Sequence, residues 1–427
     1  CVRRHTAAKP RNGGVQESKR DARLHSRCLP TALTPHWRVV VPLLMTMVFL
    51  SVVWSASFGL HLYLIARLEV LLLPSLEPFL PLEWALTSTQ RWSTAAAFAT
   101  LMCSYFLIGK LLSTQRFRWL AWTSSIWMGL FALLLVWAGS FHVLEEVLGL
   151  FATQLPAHTG TIPILGAILM TAVGLRNALQ PPQLNQVTLH PTKLPSDLDG
   201  LRIVQLSDIH VGPTIGQRFL RDVVDRTLAQ RPHLIVVTGD LVDGEVSILS
   251  EEVAPLFDLE APLGVYFITG NHEFISGADS WVTHLRERGI TVLENESLTL
   301  EHNGTSFQLA GVEDWDSARF HPSRSPNLDK ALLGCPDTRF TVLLAHQPKA
   351  IEEASRKGID IQLSGHTHGG QFAPFSSLVV LDQPYRAGLY TVGDALLYVN
   401  EGTGYWGPPL RIGTRSEITS LVLRARA

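Results

Sequence analysis

The sequence predicts an amino-terminal α-helical, multi-pass membrane region followed by an α/β domain, and three observations carry that prediction. Before residue 182 lie four long, nearly uncharged apolar stretches. After it, short apolar runs alternate with helical patterns and end in polar loops. Charged residues make up only 17 % of the 427, below the roughly 25 % usual in soluble domains, and mean hydropathy is +0.18.

Residues 1–38 hold nine Lys/Arg against Glu17 and Asp21. With no packed-core pattern, they are expected as a basic, disordered tail. The opening residue, Cys1, is compatible with a chain trimmed at its amino end. Residues 39–178 form the membrane region, with about four spans expected at 39–65, 93–108, 119–141 and 161–175. These approach or exceed the ~18–20 apolar residues that cross a bilayer's hydrocarbon core. Eight of the eleven Trp fall in this half, several at segment ends, as an interfacial belt requires. So many apolar runs leave too little polar surface for burial inside a soluble protein.

Between the first two spans, residues 68–86 contain Pro74, Pro78, Pro81, Glu69, Glu77 and Glu83, and are expected as an interfacial or re-entrant piece. Residues 143–152, with Glu145 and Glu146, are expected as a short amphipathic linker. His61, the one ionisable residue in any of the expected spans, is assigned an interfacial position and offers little support for a transport function. The basic tail and the loop carrying Lys110, Arg116 and Arg118 place both termini on the cytoplasmic side.

A Pro/Gln-rich stretch opens a linker at 179–198, and the α/β domain occupies 199–427. From residue 182 onward there are 20 basic residues against 30 acidic, so nucleic acid is not an expected partner. The four cysteines have no zinc-clip spacing and imply no disulfide framework. Apolar runs at 201–206, 234–237 and 265–268 end in Ser-Asp, Gly-Asp and Gly-Asn, and helical patterns follow at 216–229 and 277–288. Further strands are expected at 306–310, 341–345, 359–363, 389–392, 396–399 and 417–423.

Five polar clusters sit at the ends of these runs: SDIH with Asp208 and His210, GDLVD with Asp240 and Asp243, GNHE with Asn271, His272 and Glu273, AHQP with His346, and GHTH with His366 and His368. Carboxylate, amide oxygen and imidazole without thiolate is the donor mixture that borderline divalent metals such as Mn, Fe or Zn accept. A single His beside a strand end is usually a solvated loop residue. Five clusters, each at an expected strand end, point instead to a metal site.

In that order the clusters resemble the signature of the calcineurin-like metallophosphoesterases, over residues 199–424, with every motif position filled. AGLY, LYVNEGTG and PPLRIGTRSEI downstream are similar to the membrane-associated branch of that family. The resemblance implies a layered α/β/β/α sandwich with two divalent metal ions. Asp208, His210, Asp240 and His368 would hold one ion, and Asp240, Asn271, His346 and His366 the other, with Asp240 bridging. His272 would contact the phosphoryl group or protonate the leaving group, and Asp243 would hold the far nitrogen of His272. Gly244 stands where protein phosphatases of the family carry arginine, which argues against a phosphoprotein substrate. The expected function is a membrane-anchored phosphoesterase cleaving a phosphodiester or pyrophosphate bond by metal-activated hydroxide, on a lipid-linked or nucleotide-linked substrate. A catalytically silent metal-containing scaffold that binds a phosphorylated partner is the alternative. Trp315 and Trp406 are expected to be core residues, with a place along the substrate path as the alternative, and the sequons at Asn295 and Asn303 matter only in a lumenal domain.

Overall fold

The computed structural model describes residues 35–76, 86–111, 118–336 and 339–425. Most of the basic tail, Arg116, and Glu77, Pro78, Pro81 and Glu83 lie outside the described residues. The membrane region contributes helices α1 (Pro35–Leu76), α2 (Ser88–Leu111), α3 (Arg118–Gly149) and α4 (Ile162–Ala178). Among the described residues, three helical segments are long and apolar enough to cross a bilayer: Met47–Pro74, Arg118–Gly149 and His158–Ala178. Helix α2 is long enough but opens on the polar sequence Ser-Thr-Gln-Arg. Less than a third of each span's most apolar stretch is buried in the protein, which is the pattern of lipid-facing helices rather than of a soluble core.

Three expectations about this region are corrected. Residues 68–76 are not re-entrant: α1 continues through them to Leu76, and Pro74, which gives up one backbone donor, stands two residues before the helix ends. Residues 143–149 are not a linker but the end of α3. The charges that suggested breaks are paired instead, Arg67 with Glu145 and Arg91 with Glu69 at 2.8 Å. His61 is not interfacial. It is buried, its Nδ1 donates to Ser57 O (2.7 Å), its Nε2 accepts from Trp127 Nε1 (3.0 Å), and its ring stacks on Phe131.

Two six-stranded sheets build the α/β domain. Its strands are β1 (Gln183–Leu189), β2 (Arg202–Leu206), β3 (Leu234–Val237), β4 (Val265–Phe267), β5 (Thr291–Val292), β6 (Glu296–His302), β7 (Thr305–Gly311), β8 (Thr341–Leu344), β9 (Ile361–Ser364), β10 (Gly388–Val392), β11 (Ala395–Val399) and β12 (Glu417–Leu423). The first sheet has the order β1-β12-β2-β3-β4-β5, and the second β10-β11-β9-β8-β7-β6. The linker expected at 179–198 is therefore in part a strand, since β1 pairs in parallel with β12 along its whole length.

Alternation along the strands decides the layers. Ile203, Leu234 and Val236 face Phe307, Leu309, Val342 and Ile361 of the other sheet. Val204, Leu206, Ile235 and Val237 point outward to helices α5 (Gln217–Ala229), α6 (Val246–Val253) and α8 (Ala278–Glu287). The outer face of the second sheet is covered by the helix Ile351–Arg356 and its neighbours. The result is the expected α/β/β/α sandwich. Strands β2, β3, β4, β8 and β9 run to one carboxyl edge, where open α/β sheets bind ligands.

Candidate metal centre

The loops leaving that edge bring the seven expected ligands to one place. Asp208 and His210 follow β2, Asp240 follows β3, Asn271 opens α7 (Asn271–Ser276) after β4, His346 follows β8, and His366 and His368 follow β9. Asp208, His210, Asp240, His366 and His368 all have left-handed backbone, with φ between 51° and 71°. Each such non-glycine residue costs about 1–3 kcal/mol, so the loops store strain where they turn side chains inward. Gly365 shows how tight the turns are: a Cβ there would sit 1.9 Å from Ser207 Oγ and 2.2 Å from Asp208 Oδ2.

Among the described residues three groups of donors form, Asp208–His210–His368, Asp240–His346–His366 and, sharing a member with each, His210–Asp240–His272, with donor atoms in each within 4.8 Å of one another. His210 Nε2 lies 3.0 Å from His368 Nε2, and His368 Nε2 lies 3.5 Å from Asp208 Oδ1. In the second group His346 Nε2 is 3.2 Å from Asp240 Oδ2 and 3.3 Å from His366 Nδ1, which is itself 3.1 Å from Asn271 Oδ1. Asp240 Oδ2 also stands 3.9 Å from His210 Nε2, so its carboxylate lies between the groups.

The hydrogen bonds behind these donors decide what they hold. His346 Nδ1 donates to Thr238 O at 2.7 Å, because a carbonyl oxygen only accepts. In the neutral ring Nε2 then carries a lone pair aimed at a carboxylate, an arrangement that only a proton or a cation satisfies. His210 is fixed in the same way, with Nδ1 on Asp243 Oδ1 at 2.9 Å. An imidazole whose far nitrogen is tied to a carbonyl or carboxylate is the usual support for a metal ligand. Burial, with His346 adding to it, lowers His366 to about 3, and burial with His210 and Arg411 nearby holds His368 well below its ordinary value. Both rings are therefore neutral, with His366 Nδ1 donating to Asn271 Oδ1 and His368 Nδ1 accepting from Arg411 Nη2 at 3.3 Å, bonds that a cation would have to reorganise. Burial opposes ionisation of Asp240, but His346 and His272 outweigh it and hold the carboxyl well below its usual range. The residues present fit a pair of divalent cations.

His272 points into the same space. Its Nδ1 lies 2.7 Å from Asp243 Oδ1, the atom that also takes His210, and its backbone N–H donates to Asp240 Oδ1 at 2.9 Å. Burial alone would lower its pKa, but Asp240 and Asp243 raise it to about 9. Asp243 thus orients two rings, of which the sequence suggested only one. Glu273, beside them, accepts from the backbone N–H groups of Asp240 (2.9 Å), Leu241 (2.8 Å) and Gly270 (2.7 Å) and locks two ligand loops together.

Arg411 was missed in the sequence, where it reads as one of many surface arginines. It is fully buried, and its guanidinium donates to His368 O (2.8 Å), Glu401 O (2.7 Å), Gly402 O (3.3 Å) and Gly404 O. The expected core positions of Trp315 and Trp406 are corrected, since both are more than two-fifths exposed. The Trp406 ring stands edge-on to His272 with centroids 5.7 Å apart. Asn295 is buried, with Nδ2 on Ser325 O and Oδ1 accepting from Asn327 N, which leaves no free amide for a glycan.

Residues 201–370 match the family model described as calcineurin-like phosphoesterase. The chain is 36 % identical over 347 residues to a "Transmembrane protein with metallophosphoesterase domain" from Danio rerio, covering 77 % of this chain and 78 % of that one. It is 33 % identical over 412 residues to a protein of the same description from Bos taurus, covering 94 % and 83 %. A metallophosphoesterase of Helicobacter pylori strain J99 is 36 % identical over 252 residues, covering 58 % and 66 %. Among solved structures, a dimetal phosphatase from Danio rerio aligns with 52 % of this chain and 99 % of its own, at 15 % identity and a TM-score of 0.34.

Proposed function

The chain belongs to the calcineurin-like phosphoesterases, and from that premise we propose that it is a membrane-anchored, two-metal hydrolase of phosphodiester or pyrophosphate bonds. The observation that carries this reading is the Asp240 carboxylate standing between two groups of imidazole and carboxylate donors. In it, Asp208, His210 and His368 would hold one cation and Asn271, His346 and His366 the other, with the Asp240 carboxylate shared between them. A shared carboxylate would offset the repulsion between the two cations. Such a pair, when bound, acidifies the attacking water and neutralises charge on the phosphoryl oxygens. Mn, Fe and Zn all suit this donor set.

The protein's own groups do the rest. His272, kept protonated by Asp243, offers a proton from Nε2 to the leaving-group oxygen as its bond to phosphorus breaks. Asp243 fixes both that ring and the His210 ring, so it is a positioning residue. Gly244 removes an arginine that a phosphoprotein would meet, which favours a smaller phosphoester.

The membrane region is read as four spans with the catalytic domain on the cytoplasmic side. Helix α4 ends in Arg176 and runs into β1, and Arg118 at the start of α3 lies against Gly216 of the catalytic domain. Basic residues at the domain-proximal ends fit the positive-inside rule. Protease protection in sealed right-side-out cell membranes tests this: the domain must resist cleavage, and digestion without permeabilisation would reverse the orientation. For the activity, the purified full chain should bind two Mn and cleave bis-p-nitrophenyl phosphate. Asp240→Asn should lose both properties, and retention of two metals with full turnover would refute the assignment.

A further inference from the structure

The catalytic domain is not merely tethered to the bundle. The loop 404–412, which walls the metal centre, is gripped by the membrane helices. Tyr105 of α2 hydrogen-bonds the backbone at Gly407, Leu410 belongs to the bundle core with Leu64, Phe131 and Leu134, and Ile412 packs over Gly174 of α4. Pro408 and Leu410 reach Gly129, about 16 Å along the α3 axis from Arg118. On α4, the Gly174 carbonyl accepts from Arg411 N–H (3.0 Å), and Asn177 Nδ2 donates to Arg411 O (3.1 Å).

A second segment lies alongside this loop. Immediately after the His366 and His368 ligands, residues 371–381 read QFAPFSSLVVL without a single charge. Its first part is anchored: Phe372 packs into the bundle cluster and bridges to Ile412, and Gln371 exchanges hydrogen bonds with Trp406 at 2.8 and 2.9 Å. Its remainder forms two short turns that leave Leu378 59 %, Val380 50 % and Leu381 83 % exposed. An apolar patch that begins on a transmembrane bundle and continues outward from it is contiguous with the surface the bilayer already covers. Lipid is the occupant that continuity selects.

Resting on the hydrolase reading above, we propose that the segment 372–381, with Trp406, lies in the bilayer interface and presents the metal centre to the phosphoester headgroup of a membrane-embedded amphiphile. The headgroup reaches His272 beside Trp406 while its chains remain among the lipids, so the substrate need not leave the membrane. This accounts for an exposed Trp at the site: an indole at the headgroup level has one apolar and one wet side.

Two arms test the proposal, both on the full chain in phosphatidylcholine vesicles. In the first, an environment-sensitive fluorophore is attached to Leu381→Cys, with Cys1, Cys28 and Cys335 changed to Ser. Its emission should shift to the blue and be quenched several-fold more by spin-labelled lipid than the same probe at Leu333→Cys, which is also highly exposed. Equal quenching at the two positions would overturn the proposal, as would protection of the Leu381 site through self-association without lipid quenching. In the second arm, Leu378→Asp/Leu381→Asp should lower kcat/KM about tenfold or more on an acylated p-nitrophenyl phosphodiester embedded in the vesicles. Turnover of soluble bis-p-nitrophenyl phosphate should stay at the wild-type rate. Unchanged rates on both substrates, or equal losses on both, would contradict membrane presentation. Absence of wild-type turnover on either substrate would sink the hydrolase reading instead, and the fluorescence arm would still report insertion.

Discussion

Asp243→Asn is the most informative single change, because one atom serves two functions. Asp243 Oδ1 accepts from His210 Nδ1 at 2.9 Å and from His272 Nδ1 at 2.7 Å, and the two rings hold its carboxyl ionised against the cost of burial. The amide keeps the shape but removes the charge. His210 then loses the anion that fixes its tautomer, and such a loss typically weakens metal binding about 10–100-fold. His346 is tied to the Thr238 carbonyl and is untouched, so only one of two metal sites should weaken. At His272 the variant forfeits a charge-assisted bond worth about 1.5–3 kcal/mol, which is about one to two pH units of imidazolium stability. The His272 imidazolium exists below its pKa of about 9 and is lost as pH rises through that value. The basic limb of the pH–rate profile should therefore move down by about one to two units. Metal titration after dialysis and a profile with bis-p-nitrophenyl phosphate read the two effects separately. Two sites of unchanged affinity together with an unmoved basic limb would refute the reasoning.

Other outcomes follow from the same geometry. His272→Ala should lower turnover by about 10²–10⁴ while both metals stay bound, and a parallel loss of metal would make its role structural. Gly365→Ala places a Cβ on Asp208 Oδ2 and Ser207 Oγ, so the folded variant should lose metal at the Asp208 site, which elemental analysis reads directly. Burial raises the Asp314 carboxyl to about 6, so between its unfolded value near 3.8 and about 6 the folded state binds more protons and stability falls as pH rises. Asp314→Asn should thus raise Tm at pH 7.5, and the gain should shrink toward pH 4. Arg411→Lys cannot span four carbonyl oxygens with one ammonium, and thermal unfolding should show a loss of about 2–4 kcal/mol together with weaker metal binding at His368.

The sequence made the site legible because each ligand sits in a short motif at the end of an apolar run, and the topology gathers those ends on one edge. Strands β3 and β12 fall at their expected bounds, since buried runs flanked by turn residues leave little choice. Strand β1 was missed because its pairing partner, β12, lies at the opposite end of the domain sequence, and no local pattern reports that. Strand β6 had a local signal that went unused: Asn303-Gly304, both at positive φ, is the turn that closes its hairpin with β7. In the membrane region the charges at Glu69 and Glu145 read as breaks, whereas their partners, Arg91 and Arg67, sit on other helices. Arg411 was invisible for a similar reason, because its acceptors are backbone carbonyls.

The central claim is that Asp240 bridges two cations held by Asp208, His210, Asn271, His346, His366 and His368. Anomalous scattering from crystals of the Mn-loaded full chain measures this directly. Two peaks about 3.5–4 Å apart, one on either side of the Asp240 carboxylate, are the predicted result. A single peak, or peaks away from Asp240, would contradict the account.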